Sequence, residues 1–284
     1  MIALVRFAPK LGACAKNLST IEWAVKNAAE KGAELVVFPE MIVSGYQLEN
    51  LVSESALLKN SADWSGLLKL SSHTEIVIGC PIRQNSNFYN SMVVLREGRI
   101  AHVYHKMYLP TYGMFDEARY FSAGEKLGIY DGKLGATGLL ICEDAWHPAL
   151  AYAVHAAKPD LILVPSASPA RGLSVDDKHH SARMWQSRLS IYAESFGTAF
   201  FYVNISGSED GVRYGGEAFM AAPGGEIRFG QSLIENEVQF SFFSLTDADF
   251  SSSATTGGPW QNESHAKNLD LILQAKNIRE QKNA

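Results

Sequence analysis

Two stretches of the chain carry similar patterns of strand and turn residues, and this approximate internal repeat restricts the possible folds more than any single motif. Three elements of the first half match three of the second at a nearly constant offset of about 126 residues. The matched pairs are Lys31–Pro39 with Lys158–Pro165, Glu75–Gly79 with Phe200–Asn204, and the turn at Gly98 with the turn at Gly224 and Gly225. Chance similarity among apolar strands is the alternative, but the repeat favours two similar βα halves that pack together.

The first half begins with the pattern of a βαβ unit. Ile2–Phe7 and Leu35–Phe38 are apolar runs typical of strands, and Asn17–Glu30 between them has apolar residues at helical spacing. A connection of that length predicts that the two strands are parallel. The other predicted elements are a helix at Leu57–Leu70, strands at Glu75–Cys80, Asn90–Arg96 and Ile100–Tyr104, a hairpin turn at Glu97 and Gly98, and a helix at Ser181–Phe196. Together with the repeat, this order predicts an α/β fold, a four-layer αββα sandwich with its helices outside.

The C-terminal part of the chain is where the composition changes. No linker rich in Pro, Gly or Ser divides residues 1–250, which we expect to form one domain. Ser251–Gly258 has low complexity and predicts a loop, whereas Leu269–Ile278 predicts a short helix. We therefore expect residues 251–284 to belong to the same domain or to form an arm used in oligomerisation.

Composition excludes several classes of function. Lys+Arg 25 against Asp+Glu 30 gives a net charge of −5, and no basic cluster is present, so we expect no nucleic-acid partner. No apolar stretch approaches the roughly 20 residues that span a bilayer, so we expect no membrane partner. Three widely spaced cysteines indicate a reducing, cytoplasmic compartment. The absence of CxxC and HExxH spacings argues against a zinc site.

An apolar run at Leu139–Ile141 ends at Cys142, and polar and aromatic residues follow it up to Pro148. This pattern predicts a buried strand that stops at the cysteine, with a helix beginning at the proline. Ligands of open α/β sheets bind at that edge, where a helix N-terminus favours a thiolate and a neighbouring oxyanion. The alternative is that Cys142 is a small buried hydrophobic residue.

Charged residues follow two other predicted strands. Glu40 follows one strand, Lys106 follows another, and the loop after Lys106 contains Glu117. If the strands before Glu40 and Cys142 are parallel neighbours in one sheet, these two side chains meet at its edge. Each charged residue taken alone also has a structural interpretation, as a cap, a solvated lysine or a surface ion pair.

Taken together, these side chains have the functions that acyl transfer from an amide requires. A cysteine with a pKa of about 8.5 is mostly protonated at neutral pH, so its attack on a carbonyl needs a base. Glu40 can accept that proton and later give it to the departing ammonia. Lys106 can stabilise the oxyanion of the tetrahedral intermediate and favours the thiolate form of the cysteine.

These residues lie in three motifs, Val-Val-Phe-Pro-Glu40, His-Lys106-Met-Tyr-Leu-Pro and Leu-Ile-Cys142-Glu-Asp. In this order the motifs resemble those of the nitrilase superfamily of carbon–nitrogen hydrolases, and the resemblance extends over residues 2 to about 230. It implies an αββα sandwich and a catalytic triad of Glu40, Lys106 and Cys142. It also implies that the backbone N–H of Glu143 completes the oxyanion hole, and that no metal or organic cofactor is needed.

The loop after Lys106, with the sequence Tyr-Leu-Pro-Thr-Tyr112-Gly-Met-Phe-Asp-Glu117-Ala-Arg, is most similar to the glutaminase domains of glutamine-dependent NAD synthetases. That resemblance implies that Glu117 orients the lysine and the substrate, and that Tyr112 and Ser168 contact the substrate. Ser166 differs from the Asn that those domains usually carry. The Ser-Gly-Gly-x-Asp-Ser loop of the synthetase half does not occur, so we expect a free-standing amidase.

The sequence thus predicts a cysteine-dependent amidase that cleaves small linear amides through a thioester and releases ammonia. A nitrilase or N-carbamoyl amidohydrolase would use the same triad, and a non-catalytic binding protein is the alternative from another class. Trp146 is predicted to line the substrate pocket or simply to pack. The aromatic residues between 108 and 121 are predicted to form a lid or to cover the sheet edge. By analogy with the superfamily we expect a homodimer or larger homo-oligomer.

Overall fold

The chain folds into two β-sheets that face each other, with helices on both outer surfaces. The computed structural model describes residues 1–172, 180–246, 249 and 264–282. Its strands are β1 Ile2–Arg6, β2 Leu35–Val37, β3 Glu75–Gln84, β4 Asn87–Arg96, β5 Arg99–His105, β6 Gly128–Gly132, β7 Gly135–Leu139, β8 Leu161–Ser166, β9 Ala199–Asn204, β10 Ser206–Glu209, β11 Val212–Gly215, β12 Ala218–Ala221, β13 Ile227–Arg228, β14 Gln231–Glu235 and β15 Val238–Phe243. Its α-helices are α1 Cys14–Glu30, α2 Val52–Ser55, α3 Ser65–Leu70, α4 Glu117–Tyr120, α5 Pro148–Ala156, α6 His180–Phe196 and α7 His265–Lys282. Short 3₁₀ turns are Glu49–Leu51, Ala62–Trp64 and Cys142–Trp146.

The strand order confirms the two pseudo-repeated halves. The first sheet has the order β14-β15-β1-β2-β3-β4-β5 and the second the order β13-β12-β9-β8-β7-β6, with β10 and β11 as a separate ribbon. In the first sheet β1, β2 and β3 are parallel, and β4 and β5 follow antiparallel. The second sheet repeats this arrangement with β7, β8 and β9, followed by β12 and β13. Leu35 pairs with Glu75 and Leu161 with Ala199, so Ala199 rather than Phe200 is the counterpart of Glu75.

Alternation along the strands builds the four layers. On β1, Ala3 and Val5 pack against the outer helix α1, whereas Ile2 and Leu4 face the second sheet. Because side chains of successive strand residues point to opposite faces, a run that is apolar throughout can be buried on both sides. Between the sheets, Ile2 and Leu4 share one core with residues of β7, β8 and β9. The predicted αββα sandwich is confirmed.

The outer helices bury one face each. Helix α1 buries residues at helical spacing, among them Leu18, Ile21, Val25 and Ala28, which pack on the first sheet. Helices α5 and α6 pack on the outer face of the second sheet in a separate core. No helix in the described part of the chain has the length and apolar character needed to cross a membrane.

Three predicted elements differ most from those observed. The strand predicted to end at Cys142 ends earlier, because β7 is Gly135–Leu139. The predicted helix at Leu57–Leu70 was wrong at its N-terminal end, where Leu57 forms a parallel bridge with Ile82 and exchanges backbone hydrogen bonds with the end of β3. Pairing with a strand edge satisfies those backbone groups, so the helix is confined to α3 and the short 3₁₀ turn before it. Helix α7 extends beyond the predicted Leu269–Ile278 at both ends.

The C-terminal helix contacts the body of the fold through side chains. Tyr152 of α5 forms a hydrogen bond with Nδ1 of His265 at 2.6 Å, and Asn268 donates to the Tyr152 hydroxyl at 2.8 Å. The predicted loop at Ser251–Gly258 lies outside the described residues. The single-domain boundary at residue 250 and the homo-oligomer remain predictions.

Candidate active site

Three charged or nucleophilic side chains lie just beyond the ends of strands. Glu40 follows β2, Lys106 follows β5, and Cys142 begins the 3₁₀ turn after β7. The expectation that the strands before Glu40 and Cys142 are neighbours in one sheet was wrong, because β2 belongs to the first sheet and β7 to the second. The side chains meet instead across the space between two facing sheets, which brings together loops from both halves.

Lys106 is the centre of a buried ion-pair network. Its Nζ donates to Oε1 of Glu40 at 2.6 Å and to Oε1 of Glu117 at 2.6 Å. The Lys106 and Glu40 side chains are fully inaccessible to solvent, and Glu117 is 5% exposed. Charged groups are rarely buried unless they are paired, and short charge-assisted hydrogen bonds are the strong ones. The structure therefore brings together three of the residues that the sequence singled out.

Further donors hold the two carboxylates. The Asn90 side chain donates to Oε1 of Glu40 at 2.7 Å, and the backbone N–H of Ala167 donates to Oε2 of Glu40 at 2.8 Å. The Tyr46 hydroxyl donates to Oε1 of Glu117. Both oxygens of Glu40 are thus engaged, which fixes the direction in which its carboxylate points. Sequence reasoning missed Asn90 and Tyr46, which lie in no recognised motif, and Ala167, which acts through its backbone N–H.

The electrostatics of the cluster follow from burial and from these charges. Burial alone would lower the pKa of Lys106, but the charges of Glu117 and Glu40 outweigh it and raise that pKa well above its ordinary value. Burial raises the pKa of Glu117 to about 7; the Lys106 charge opposes this, and Glu40 adds to it. The lysine is therefore a cation at neutral pH, whereas Glu117 exchanges its proton near neutrality.

The Cys142 thiol lies within the field of the same charges. Burial raises the pKa of the thiol well above its ordinary value, and the Glu40 charge adds to the rise. The Lys106 charge and the backbone N–H of Ala167 lower it, but they do not prevail. The expected effect of the lysine and the helix start, which favours the thiolate, is outweighed by burial and by the Glu40 charge. The raised pKa agrees with the expectation that attack by this cysteine needs a base.

Cys142 has a strained backbone. Its φ is +43°, in the left-handed region that residues other than glycine rarely adopt. Helix α5 begins at Pro148, as predicted. The residue as a whole is partly accessible.

The buried carboxylate of Asp144 lies two residues after the cysteine. It accepts the backbone N–H of Ile141 at 3.0 Å and the hydroxyl of Tyr104 at 2.7 Å on one oxygen. The other oxygen accepts the backbone N–H groups of Met107 at 3.1 Å and Tyr108 at 2.9 Å. Sequence reasoning did not single out Asp144, because nothing in the motif distinguishes it from an acidic helix-start residue.

The remaining predicted site residues lie on the rim. The Tyr112 hydroxyl donates to Oε2 of Glu143 at 2.9 Å, and Tyr112 is 56% exposed. Phe115 packs edge-on against Tyr112 with 5.7 Å between ring centroids, and the Arg171 guanidinium lies 5.5 Å from the Phe115 centroid. Glu143 is the second residue of a 3₁₀ turn, where backbone N–H groups have no acceptor within the helix.

Trp146 and Ser168 are engaged with other side chains. Trp146 packs edge-on against Trp185 with 5.2 Å between centroids, and the Arg188 guanidinium lies 3.9 Å above its ring. The Ser168 hydroxyl accepts a hydrogen bond from Nε1 of Trp185 at 2.9 Å. Trp146 and Ser168 therefore both contact Trp185, which supports a role in packing for each of them.

The aromatic loop divides into two parts. Phe121 is buried in a satellite core with Met41, Leu48 and Val52. Tyr112 and Phe115 instead lie at the rim, where Phe115 also packs edge-on against Tyr46. Part of the loop therefore covers the fold, and part borders the site. Among the described residues, no group of three His, Cys, Asp or Glu is arranged to hold a metal ion.

Comparison with known proteins assigns the chain to a family of hydrolases. Residues 1–241 match the carbon–nitrogen hydrolase family, and the chain belongs to that family. It is 31% identical over 253 residues to a glutamine-dependent NAD(+) synthetase of Thermotoga maritima, which covers 84% of this chain and 41% of that protein. A second such synthetase, from Rhodobacter capsulatus, is 32% identical over 233 residues, covering 80% of this chain and 40% of that protein. The chain thus spans about two fifths of the length of the curated relatives it matches.

Solved structures with the same fold include both multidomain and single-domain proteins. The glutamine-dependent NAD+ synthetase of Acinetobacter baumannii, in complex with ADP, superposes with a TM-score of 0.72 at 25% identity, covering 86% of this chain and 48% of that one. The NitN amidase of Nesterenkonia sp. AN1 superposes with a TM-score of 0.75 at 22% identity, covering 95% of this chain and 98% of that one. The resemblance to carbon–nitrogen hydrolases expected from the motifs is confirmed.

Proposed function

We propose that the protein is a cysteine-dependent amidase that hydrolyses small linear amides through a thioester. The observation that carries this proposal is the position of Lys106 Nζ, 2.6 Å from both Glu40 and Glu117, in a buried cluster whose charges act on the Cys142 thiol. A buried cation between two carboxylates beside a cysteine thiol has the groups that acyl transfer requires.

In the first half-reaction, Glu40 accepts the proton of the Cys142 thiol as sulfur bonds to the amide carbon. The resting thiol makes this base necessary. The negative charge that develops on oxygen is stabilised by the Lys106 ammonium and the backbone N–H of Glu143. The intermediate collapses when the C–N bond breaks, and Glu40 gives its proton to the leaving nitrogen, which departs as ammonia.

In the second half-reaction, water attacks the thioester carbon. Glu40 accepts a proton from the water as the new C–O bond forms, and the C–S bond then breaks. The proton returns from Glu40 to the Cys142 sulfur, and a carboxylic acid leaves. Each proton that Glu40 accepts is therefore donated again, and the enzyme ends the cycle in its starting state.

Glu117 serves in this proposal to hold the lysine in place. Its Oε1 receives the Lys106 ammonium and the Tyr46 hydroxyl, so the ammonium has a fixed partner besides Glu40. When Glu117 is protonated, the charges of Lys106 and Glu40 cancel, which lowers the cost of burying the cluster. When Glu117 is ionised, it keeps an anionic partner beside Lys106 while Glu40 carries a proton.

Ammonia release from a panel of small linear amides, alongside matched nitriles and N-carbamoyl compounds, tests the proposal. We expect amides to be hydrolysed, and Cys142→Ala to lower the rate by at least about a thousandfold. Cys14→Ala is the matched control, since Cys14 is also partly accessible but lies at the start of α1. Activity retained in Cys142→Ala would refute the mechanism. Hydrolysis of nitriles but not of amides would show that the substrates are nitriles.

Iodoacetamide labelling at neutral pH separates the enzyme from a non-catalytic binding protein. Cys142 and Cys14 are both partly accessible, whereas Cys80 is buried. An activated Cys142 is expected to react faster than Cys14 once the nearby base removes its proton. If Cys142 is inert while Cys14 reacts, the non-catalytic interpretation is favoured.

A second candidate substrate is the side-chain amide of glutamine, and the rim residues favour it. Glu143 and Arg171 flank the exposed Tyr112, so a carboxylate and a guanidinium stand near the entrance. Opposite charges in that position suit the ammonium and carboxylate of an amino acid. The curated relatives are named as glutamine-dependent enzymes, which supports the same candidate. Comparing kcat/KM for glutamine and for butyramide, in the parent and in Arg171→Ala, distinguishes the two substrates.

A further inference from the structure

The Asp144 carboxylate joins the segment that carries the lysine to the turn that carries the cysteine. Three of its four donors come from residues 104–108, which flank Lys106, and the fourth is the backbone N–H of Ile141, next to Cys142. Asp144 is completely buried. Two oxygens that each accept two hydrogen bonds leave the carboxylate little freedom to rotate.

This pattern exceeds what a helix cap requires. A capping carboxylate satisfies an N–H group at its own helix start, as Asp144 does for Ile141. The other three bonds cross from the second sheet to the end of β5 in the first sheet. The Asp144 backbone N–H also donates to the Ile141 carbonyl at 2.9 Å. Two hydrogen bonds between Ile141 and Asp144 therefore span the strained Cys142.

We propose that Asp144 is a positioning residue that sets the distance between the Lys106 ammonium and the Cys142 sulfur. The inference rests on the proposed function, since it concerns the alignment of the same two groups. Strand pairing does not fix the distance between Lys106 and Cys142, because β5 and β7 belong to different sheets. Asp144 supplies the fixed link, and a small displacement of catalytic groups lowers turnover more than it lowers binding.

The chain offers a matched control for the test. Tyr104 donates to Asp144, and Tyr130 donates to the buried carboxylate of Glu75 at 2.9 Å. Both tyrosines are buried in the same core between the sheets. Tyr104→Phe and Tyr130→Phe therefore each remove one buried hydroxyl–carboxylate hydrogen bond at equal loss of volume, but only the first touches the lysine segment.

We expect Tyr104→Phe to lower kcat for an amide substrate by about tenfold with KM changed less than about twofold. Tyr130→Phe is expected to lose a similar amount of stability, measured by denaturant unfolding, and to keep the parent kcat. Asp144→Asn, in which one oxygen becomes a donor that faces two other donors, is expected to lower kcat further than Glu75→Gln. Equal kcat in the two tyrosine variants would overturn the inference.

A second readout does not depend on turnover. The rate of Cys142 alkylation by iodoacetamide is measured against pH, with the labelled site located by mass spectrometry. If Asp144 holds the ammonium near the sulfur, Tyr104→Phe moves the midpoint of this profile to higher pH, whereas Tyr130→Phe leaves it unchanged. An unmoved midpoint in Tyr104→Phe contradicts the positioning role even if no amide in the panel is hydrolysed. Failure of the proposed function would instead appear as parent-like activity in Cys142→Ala.

Discussion

Asn90 contacts Lys106 through its backbone and holds Glu40 through its side chain. The Asn90 carbonyl accepts the Lys106 backbone N–H at 2.9 Å, and its side-chain amide donates to Glu40 Oε1 at 2.7 Å. One residue of β4 thus determines where both partners of the ion pair lie. This explains how a carboxylate and an ammonium on different loops are held at hydrogen-bond distance.

Asn90→Ala is expected to impair both stability and activity. Loss of the donor leaves one hydrogen-bonding site of a buried carboxylate unfilled, which costs about 1.5–3 kcal/mol for a charged acceptor. Because the proposed base is then less well oriented, we expect kcat/KM to fall by about 10- to 100-fold. Denaturant unfolding and steady-state kinetics measure the two effects. A variant that loses stability but keeps its kcat would show that the amide serves the fold alone.

Glu117 predicts a specific pH dependence of stability. Burial raises its pKa in the fold from 4.5 to about 7, so between those values the folded chain holds a proton that the unfolded chain releases. This contribution is fully present below about pH 4.5 and is lost as the pH rises through about 7. The stability of the parent relative to Glu117→Gln should therefore fall between pH 5 and pH 8. Glu125→Gln, at an exposed carboxylate, is the control and should show no such change.

Removal of the lysine charge is expected to destabilise the fold most at high pH. Lys106→Met leaves Glu40 and Glu117 facing each other without a cation, and breaking a buried ion pair in this way costs about 3–5 kcal/mol. Protonation of one carboxyl relieves the repulsion at low pH. The double variant Lys106→Met/Glu117→Gln should be more stable than Lys106→Met at pH 8, as measured by urea unfolding. Equal losses at pH 5 and pH 8 would contradict this account.

The left-handed backbone at Cys142 predicts that glycine is tolerated there better than alanine. At a φ of +43° a Cβ is strained by about 1–2 kcal/mol, and glycine lacks that atom. Cys142→Gly should thus be more stable than Cys142→Ala by about 1 kcal/mol in denaturant unfolding. At Cys14, the first residue of α1, the order should be reversed by about 0.5–1 kcal/mol. The same order at both positions would mean that the turn relaxes when the sulfur is removed.

The sequence predicted most of the fold and the three charged residues of the buried cluster, for a physical reason. Apolar runs that end abruptly are local signals, and Glu40 and Cys142 each follow such a run closely, whereas Lys106 follows a strand of mixed polarity. The partners that hold them were not predictable in this way. Asn90 is a polar residue within a strand, and Ala167 acts through its backbone N–H, so neither leaves a pattern in the sequence.

Errors in the sequence analysis came from interactions that are not local. The amphipathic pattern at Leu57–Leu70 favours a helix, but its first residue instead pairs with the edge of β3. The assignment of the strands before Glu40 and Cys142 to one sheet failed, since two facing sheets bring strand ends together as well as neighbouring strands do. Helix propensity and strand order both give way to tertiary context in such cases.

The division of the reactive groups between the two halves has a consequence for how the activity can be dissected. Glu40, Lys106 and Glu117 come from the half with β1–β5, whereas Cys142 comes from the half that begins with β6. Fragments cut within the exposed segment 125–127 each lack a partner that the other holds. Because β15 of the C-terminal fragment pairs with β1 of the other, regained hydrolysis after mixing would measure how tightly the two fragments associate.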